Sequence, residues 1–149
     1  MKKLPLPLCL LVCLAAAPVA TAGEKGTPDE AKALLDKAVK LVQTQGDTKA
    51  LAAFNDPKGS YVDRDLYVFC FGPDNKVSAH IDKTMLGKEV TTIKDAEGKP
   101  TGSQMAEIAK AGAGSLEYKW KNPVSQQVGT KVSYLKRAGT QVCGVGAYK

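Results

Sequence analysis

Alternating apolar and polar residues in the last third of the chain predict three β-strands joined by short turns. Over residues 116–121, apolar side chains recur at every second position, which is typical of a half-buried strand. Residues 130–137 and 141–148 form the second and third runs, and a glycine-containing turn separates them. Consecutive strands with short connections predict an antiparallel meander.

The same alternation assigns side chains to faces. In the second run, one face carries Val132 and Tyr134, and the other carries Lys131, Ser133 and Leu135. In the third run, Val142, Gly144 and Gly146 lie opposite Cys143, Val145 and Ala147. An aromatic face with Tyr118, Trp120 and Tyr134 predicts either a packed core or a small-molecule pocket, because Tyr and Trp rings carry polar groups that need partners.

The first half of the chain predicts two helices. Thr27 and Glu30 have the spacing of a capping box, and a proline occupies the first helical position. Apolar residues then recur at helical spacing until Gly46, which we expect to end the helix in the left-handed conformation. Asp47 is expected to cap a shorter helix over residues 48–54. The apolar stripe of the longer helix needs a partner, and one face of a sheet is suitable.

Residues 66–71 give the strongest strand signal in the chain. Their sequence, Leu-Tyr-Val-Phe-Cys-Phe, is apolar on both faces, which predicts a central strand. A Gly-Pro-Asp-Asn turn follows, and residues 77–80 form the returning strand. Residues 81–102 lack periodicity, and a loop of this length in a compact domain is typically a lid or a binding loop. Ser103 is then expected to cap a helix that ends at Ala111.

Residues 1–22 predict a secretory signal peptide. Lys2 and Lys3 precede a short apolar run, and an Ala-Thr-Ala cleavage site precedes Gly23. A retained membrane anchor is the alternative, although the run is short and contains prolines. Residues 23–149 have the length of one domain and contain no second apolar run of spanning length. We therefore expect a periplasmic or secreted protein without a membrane span in the mature chain.

Charge and cysteine content narrow the class further. Cleavage removes Lys2 and Lys3 and lowers the formal net charge from +6 to +4, which favours anionic ligands only mildly. The lysines are spread along the chain without a nucleic-acid motif, so nucleic acid is not a predicted partner. Cys70 and Cys143 remain after cleavage, and an even cysteine count in an exported chain favours a disulfide. Two buried free thiols are the alternative.

Candidate chemistry is sparse. His80 is the only histidine, so a histidine cluster for a metal is excluded. Ser78 lies only two residues away on the same strand, and no nucleophile–base arrangement is recognisable. The acidic turns lack calcium-loop spacing, and there is no Cys-x-x-Cys-His haem site. We therefore predict no enzymatic activity, no metal and no cofactor.

The order of elements, together with the residues at key positions, resembles the Cache domain. This family comprises extracellular sensor modules of the PAS-like fold, here in the single-domain form. The matching residues are Tyr61-Val-Asp-Arg-Asp-Leu-Tyr67, His80, Leu86-Gly87, Asp95 with Gly98, Tyr118-Lys-Trp120, Lys131-Val-Ser-Tyr134 and Gly146-Ala-Tyr148. The resemblance implies an α+β fold over residues 23–149. In it, a long N-terminal helix packs on a five-stranded antiparallel sheet, and a ligand pocket lies on the other face. It also implies that the first and last strands are adjacent, which would bring Cys70 and Cys143 together.

The resemblance implies a periplasmic sensor-type module that binds a small metabolite, and we expect a short carboxylate. The expected ligand-binding residues are Tyr67, Phe69, His80, Tyr118, Trp120, Lys131 and Tyr134. Lys131 and a protonated His80 would be the cations. In that case, binding would tighten as the pH falls toward and below about 6.5.

The partners of such a module follow from the same family. Its members usually sit between the transmembrane helices of chemoreceptors or histidine kinases. This chain ends directly after its last strand, so we expect a module without its own transmembrane or output domain. The alternative is a protein-interaction subunit that docks its aromatic face on a membrane receptor or kinase, which would require an exposed apolar patch.

Overall fold

The computed structural model describes residues 25–149, so the predicted signal peptide lies outside the described residues. The chain forms helices α1 (Pro28–Gln45) and α2 (Asp47–Phe54), strands β1 (Val62–Asp63), β2 (Leu66–Phe71) and β3 (Val77–Ala79), helix α3 (Thr101–Ala111), and strands β4 (Ala113–Lys121), β5 (Val128–Ala138) and β6 (Gln141–Tyr148). Two 3-10 turns, Lys83–Met85 and Val90–Thr92, separate β3 from α3. Within these residues, no helix combines the length and apolar character needed to cross a membrane.

The strands form one antiparallel sheet in the order β1-β2-β6-β5-β4, and β3 also pairs with β2. The predicted central position of β2 is confirmed, since β6 lies on one side of it and β1 and β3 lie on the other. The sheet has six strands rather than the predicted five. The additional strand, β1, is two residues long, which is too short to produce a recognisable alternation.

Helix α1 covers one face of the sheet, and its predicted start is confirmed. The Thr27 hydroxyl accepts the Glu30 backbone N–H (3.2 Å), and the Glu30 carboxylate accepts the Thr27 N–H (2.8 Å). Gly46 ends the helix with a φ of 79°. The buried residues of the helix are Ala31, Leu35, Ala38 and Val42, and they pack on Leu66, Val68, Val145 and Ala147 of the sheet.

Helix α2 begins at Asp47, which was expected to cap it from outside. The Asp47 carboxylate makes no cap and instead accepts hydrogen bonds from Thr140 and Gln141 in the β5–β6 hairpin. A side chain held by a distant hairpin is not free to turn back on its own helix, so Gly46 occupies the N-cap position.

The predicted disulfide between Cys70 and Cys143 is confirmed. The two residues lie directly opposite each other on β2 and β6, with their Cα atoms 4.1 Å apart. Both side chains are buried on the α1 face. The bond therefore fixes the register of the two neighbouring strands.

The other face of the sheet is covered by residues 83–111, from the first 3-10 turn through α3, and we call this segment the lid. Its apolar side chains pack against Tyr67, Phe69 and Phe71 of β2, as expected for a long ordered loop. Helix α3 begins at Thr101, two residues before the predicted cap. The Asp95 carboxylate accepts two backbone N–H groups in the preceding turn, and the Ser103 hydroxyl donates to a lid carbonyl instead of capping the helix.

Candidate functional site

Two adjoining cavities lie on the face of the sheet opposite α1. The inner cavity has a volume of about 40 Å³, and its walls are largely apolar side chains of β2 and the lid, among them Phe69, Met85 and Met105. The outer cleft has a volume of about 410 Å³ and is lined in part by Asp82, Lys121 and Gln126. The inner cavity has room for about three water-sized groups, so only a small chemical group fits there without movement of the lid.

Three rings line both cavities, and we call them the ring wall: Tyr67, His80 and Trp120. The ring centroids of Tyr67 and His80 are 5.1 Å apart, and those of His80 and Trp120 are 6.5 Å apart, with the planes steeply inclined in both pairs. Tyr118 packs edge-on against Trp120 at 5.8 Å. Edge-to-face pairs are favourable for aromatic rings, so β2, β4 and the end of β3 each contribute to a mutually supported wall.

His80 is held as a neutral hydrogen-bond donor. Its Nδ1 accepts the Asp82 backbone N–H at 2.9 Å, so the proton of the neutral ring resides on Nε2. Burial, together with the positive charge of Lys131, lowers the pKa of His80 to about 4. The cationic role expected from the sequence therefore does not apply near neutral pH, because burial disfavours the charged ring.

Lys131 lies on the same face, since its residue pairs with Tyr118 across β4 and β5. Its side chain is fully buried, and its Nζ has no hydrogen-bond partner among residues 25–149. The Nζ lies 3.9 Å from the ring centroid of Tyr67, 5.2 Å from that of Tyr148 and 5.9 Å from that of Phe69. Burial lowers the pKa of Lys131 to about 7, although the charge of Asp65 acts in the opposite direction.

Asp65 is the buried carboxylate whose charge reaches Lys131. It accepts the Gly26 backbone N–H at 2.7 Å and the Asn122 side-chain amide at 2.9 Å. Both of its oxygens are therefore already engaged. Within the described residues, no ion pair joins Asp65 to Lys131.

Two further phenols add donors to the site. The Tyr118 hydroxyl is 2.9 Å from the Ser133 hydroxyl, and burial raises the pKa of Tyr118 well above its usual range. Burial likewise raises the pKa of Tyr67. Both phenols therefore stay protonated near neutral pH, and a protonated phenol can donate a hydrogen bond to an anion.

Two glycines of β6 shape the base of the site. A Cβ at Gly144 would overlap the Phe69 ring, and one at Gly146 would overlap Lys131 Cε and the Ser133 hydroxyl. With only hydrogen at these positions, Phe69 and Lys131 lie flat against the backbone of β6. The alternation predicted for this strand is confirmed, because Cys143, Val145 and Ala147 face α1.

Of the seven predicted ligand-binding residues, six share this face: Tyr67, Phe69, His80, Tyr118, Trp120 and Lys131. Tyr134 does not. It packs with the α1 face, where Lys32 Nζ lies 5.0 Å from its ring centroid. Residues 131, 133 and 135 of β5 face the site, so period-two alternation forces Tyr134 to the other side.

Sequence reasoning missed Tyr148 and the buried Asp65. Tyr148 follows Gly144 and Gly146 at a spacing of two, so the alternation of β6 already assigned it to the same face. The pairing of β5 with β6 then places it opposite Lys131. Asp65 belongs to a segment that carries the family resemblance, but no local pattern indicated its role, since its position is fixed by long-range hydrogen bonds. Within residues 25–149, no group of three or more His, Cys, Asp or Glu side chains could hold a metal ion.

The family model described as Single Cache domain 2 matches residues 17–142. The chain belongs to the single Cache domain 2 family. No protein of curated function matches this Cache domain significantly.

Solved structures of similar fold include two from chemotaxis proteins and one Cache chemosensory domain. A methyl-accepting chemotaxis protein from Vibrio parahaemolyticus superposes with a TM-score of 0.66 at 20% identity, covering 80% of this chain and 86% of that chain. A Cache chemosensory domain described for carboxylic acid recognition gives 0.58 at 22% identity, with coverage of 80% and 86%. A periplasmic sensor domain of a chemotaxis protein gives 0.59 at 19% identity, with coverage of 80% and 88%. These similarities establish the Cache fold, with its helix on one face of the sheet.

Proposed function

We propose that this Cache domain is a periplasmic or secreted ligand-binding module of the sensor type, and that its ligand is a short carboxylate. The observation that carries the proposal is the buried amine of Lys131, which has no acceptor in the part of the chain that the structure describes. A buried polar group without a partner is costly, and an incoming carboxylate would supply the missing acceptor through a charge-assisted hydrogen bond.

Donors around Lys131 support an anionic head group. The His80 Nε2–H and the Trp120 indole N–H belong to the ring wall, and the phenols of Tyr67 and Tyr118 are protonated. We place the carboxylate at the ring wall beside Lys131, with its tail in the inner cavity against Phe69. The cavity volume of about 40 Å³ limits the tail to a few heavy atoms, roughly two or three.

Enclosure of the aromatic side chains favours ligand binding over partner docking. Tyr67, Phe69 and Tyr118 are buried, whereas a docking surface would expose a contiguous apolar patch. Binding is also favoured over catalysis, because the Ser78 hydroxyl donates to Gln141 at 2.7 Å and His80 Nδ1 is engaged by Asp82. A membrane receptor or kinase remains the proposed partner, in keeping with the chemotaxis proteins of similar fold.

Fluorescence of Trp120 together with thermal melting tests the proposal. Trp120 is the only tryptophan in the chain and belongs to the ring wall, so it reports on the site without a label. Acetate, propionate, pyruvate, lactate and the amino acids would be titrated individually. A hundredfold excess over the dissociation constant should add about 2.7 kcal/mol to the free energy of unfolding.

Matched lysine variants locate the effect. Lys131→Met should abolish the response, whereas Lys136→Met should retain it, because Lys136 lies on the same strand but pairs with Asp36 at the exposed edge of α1 (2.5 Å). No response to any of these acids at millimolar concentration would refute the carboxylate assignment. An unchanged response in Lys131→Met would remove Lys131 from the site.

A further inference from the structure

The amine of Lys131 has an environment that suits a neutral amine better than an ammonium ion. It has no exposure to solvent and no acceptor within residues 25–149. The rings of Tyr67, Tyr148 and Phe69 around it offer only their π faces to a charge. Cation–π contacts offset only part of the cost of removing an ammonium group from water.

Five titratable groups near Lys131 come from five different elements of the fold. Tyr67 on β2 and Tyr148 on β6 place their rings against it, and Tyr118 lies across the β4–β5 pair. Asp65 acts on it from the β1–β2 turn, and His80 feels its charge from the end of β3. The phenols are protonated and His80 is neutral, so Asp65 is the one anion in this set, and its two oxygens are already engaged.

The entry of a carboxylate would make the charged form of Lys131 the favoured one. An anion in contact with Nζ supplies both a hydrogen-bond acceptor and an opposite charge, and each favours the protonated amine. We infer that a carboxylate that binds to the neutral amine is accompanied by the uptake of one proton at Lys131 Nζ, so that the site gains, in sum, the neutral acid. The inference rests on the proposed function and specifies how that site responds to pH.

The proton balance is simple. Above about pH 7, free Lys131 carries a mostly neutral amine, and the ligand arrives as a carboxylate. One proton from solvent or buffer binds to Nζ, and the bound state is an ammonium–carboxylate pair. Because the pKa of free Lys131 is about 7, most free protein must take up this proton at about pH 8, and little of it must do so at about pH 6. Apparent affinity should then fall roughly tenfold between these two pH values.

Calorimetry of the full chain with acetate and with propionate tests the inference. Titrations at about pH 8 in two buffers of different ionisation enthalpy, HEPES and Tris, report the number of protons exchanged. We expect roughly 0.9 proton taken up per acid at about pH 8 and roughly 0.1 at about pH 6, as follows from the linkage relation. Lys136→Met should show the same buffer dependence as the natural protein.

The outcomes separate the two proposals. Heats that are equal in both buffers at about pH 8 would overturn the proton uptake and leave carboxylate binding standing. Absence of binding by both acids, together with no response in the wider screen, would overturn the proposed function and the uptake with it. Lys131→Arg, which is permanently charged, should bind without buffer dependence if it folds.

A spectroscopic measurement follows the protonation of Lys131 in the natural protein. In the free protein, the NMR resonance of the Lys131 side-chain methylene next to Nζ should titrate near pH 7, and saturation with propionate should move the midpoint upward by more than one pH unit. A midpoint that stays in place while propionate binds would contradict the inference. The resonance is assigned by its loss in Lys131→Met.

Discussion

Folding removes the Lys131 amine from water, which is unfavourable for its charged form. The lysine needed for the proposed binding therefore lowers the stability of the domain. The unfolded chain retains the ordinary lysine pKa of 10.5, whereas the pKa in the folded protein is about 7. Between these values the unfolded state binds more protons, and the contribution of Lys131 to stability therefore rises with pH. The cost of the buried charge is fully present below about pH 7 and disappears toward about pH 10.5.

Lys131→Met should therefore raise the free energy of unfolding at pH 7 by about 1–4 kcal/mol, as seen when buried charges are replaced by apolar groups. Urea melts at pH 7 and at about pH 10 would measure the difference from the natural protein, which should shrink as the pH rises. Lys136→Met, on the exposed side of the same strand, should stay within about 0.5 kcal/mol. A difference that grows with pH would contradict the buried-amine account.

His80 gives a second prediction at the residue scale. Because burial lowers its pKa to about 4, the unfolded state binds the extra proton between about pH 6.5 and pH 4, and stability should fall by up to about 3 kcal/mol as the pH drops through this window. The chain has one histidine, so an NMR titration of its ring protons is unambiguous. A midpoint near 6.5 would mean that the ring is solvated and that the ring wall is open.

At the scale of elements, two substitutions in α1 compare the contribution of its N-terminal cap to stability with that of its packing on the sheet. Thr27→Ala removes one hydroxyl acceptor for the Glu30 N–H and should cost about 1 kcal/mol. Leu35→Ala removes a side chain that is 1% exposed and lies between α1 and the sheet, which should cost about 2–5 kcal/mol. Denaturant melts of both variants check the order. If Thr27→Ala proved the more damaging, α1 would not be held mainly by its apolar stripe.

The sequence predicted elements well where one local pattern dominated. The period of two in β4, β5 and β6 located the strands and their faces, and the capping box located the start of α1. Prediction from the sequence was less accurate where contacts outside the local pattern hold the residues at a helix start. The Asp47 carboxylate is bound by the β5–β6 hairpin instead of capping α2, and helix α3 begins two residues before the expected Ser103 cap.

The residues of the site were likewise predictable where a local pattern placed them, and not where distant contacts did. Lys131 could be assigned to a face of β5, but its position opposite Tyr118 depends on the register of the hairpin between β4 and β5. Tyr134 was grouped with the other aromatic residues by chemical similarity, although its own strand pattern placed it opposite Lys131. Neutral His80 was also beyond the sequence, because the burial that lowers its pKa arises from three separate elements.

For the whole molecule, the disulfide joins residues that are 73 positions apart in the chain. A loop of this size should add roughly 2–4 kcal/mol by limiting the unfolded state. Peptide mapping without reductant should recover Cys70 and Cys143 in one linked fragment, and reduction should lower the urea midpoint accordingly. Recovery of both cysteines as separate alkylated peptides would refute the bond.

Gly146 affects the pKa of Lys131, whose side chain lies against it. It carries no side chain, yet the space that it leaves is where the methylene groups of Lys131 lie. A methyl group at this position would overlap Lys131 Cε and the Ser133 hydroxyl, so the lysine side chain would have to leave its place against the strand. We expect this movement to bring the amine into contact with water. Gly146→Ala should thus return the pKa of Lys131 toward 10.5 and flatten the pH response of the domain between about pH 6 and pH 8. In this way, the absence of one methyl group would set the pH range over which the proposed binding responds.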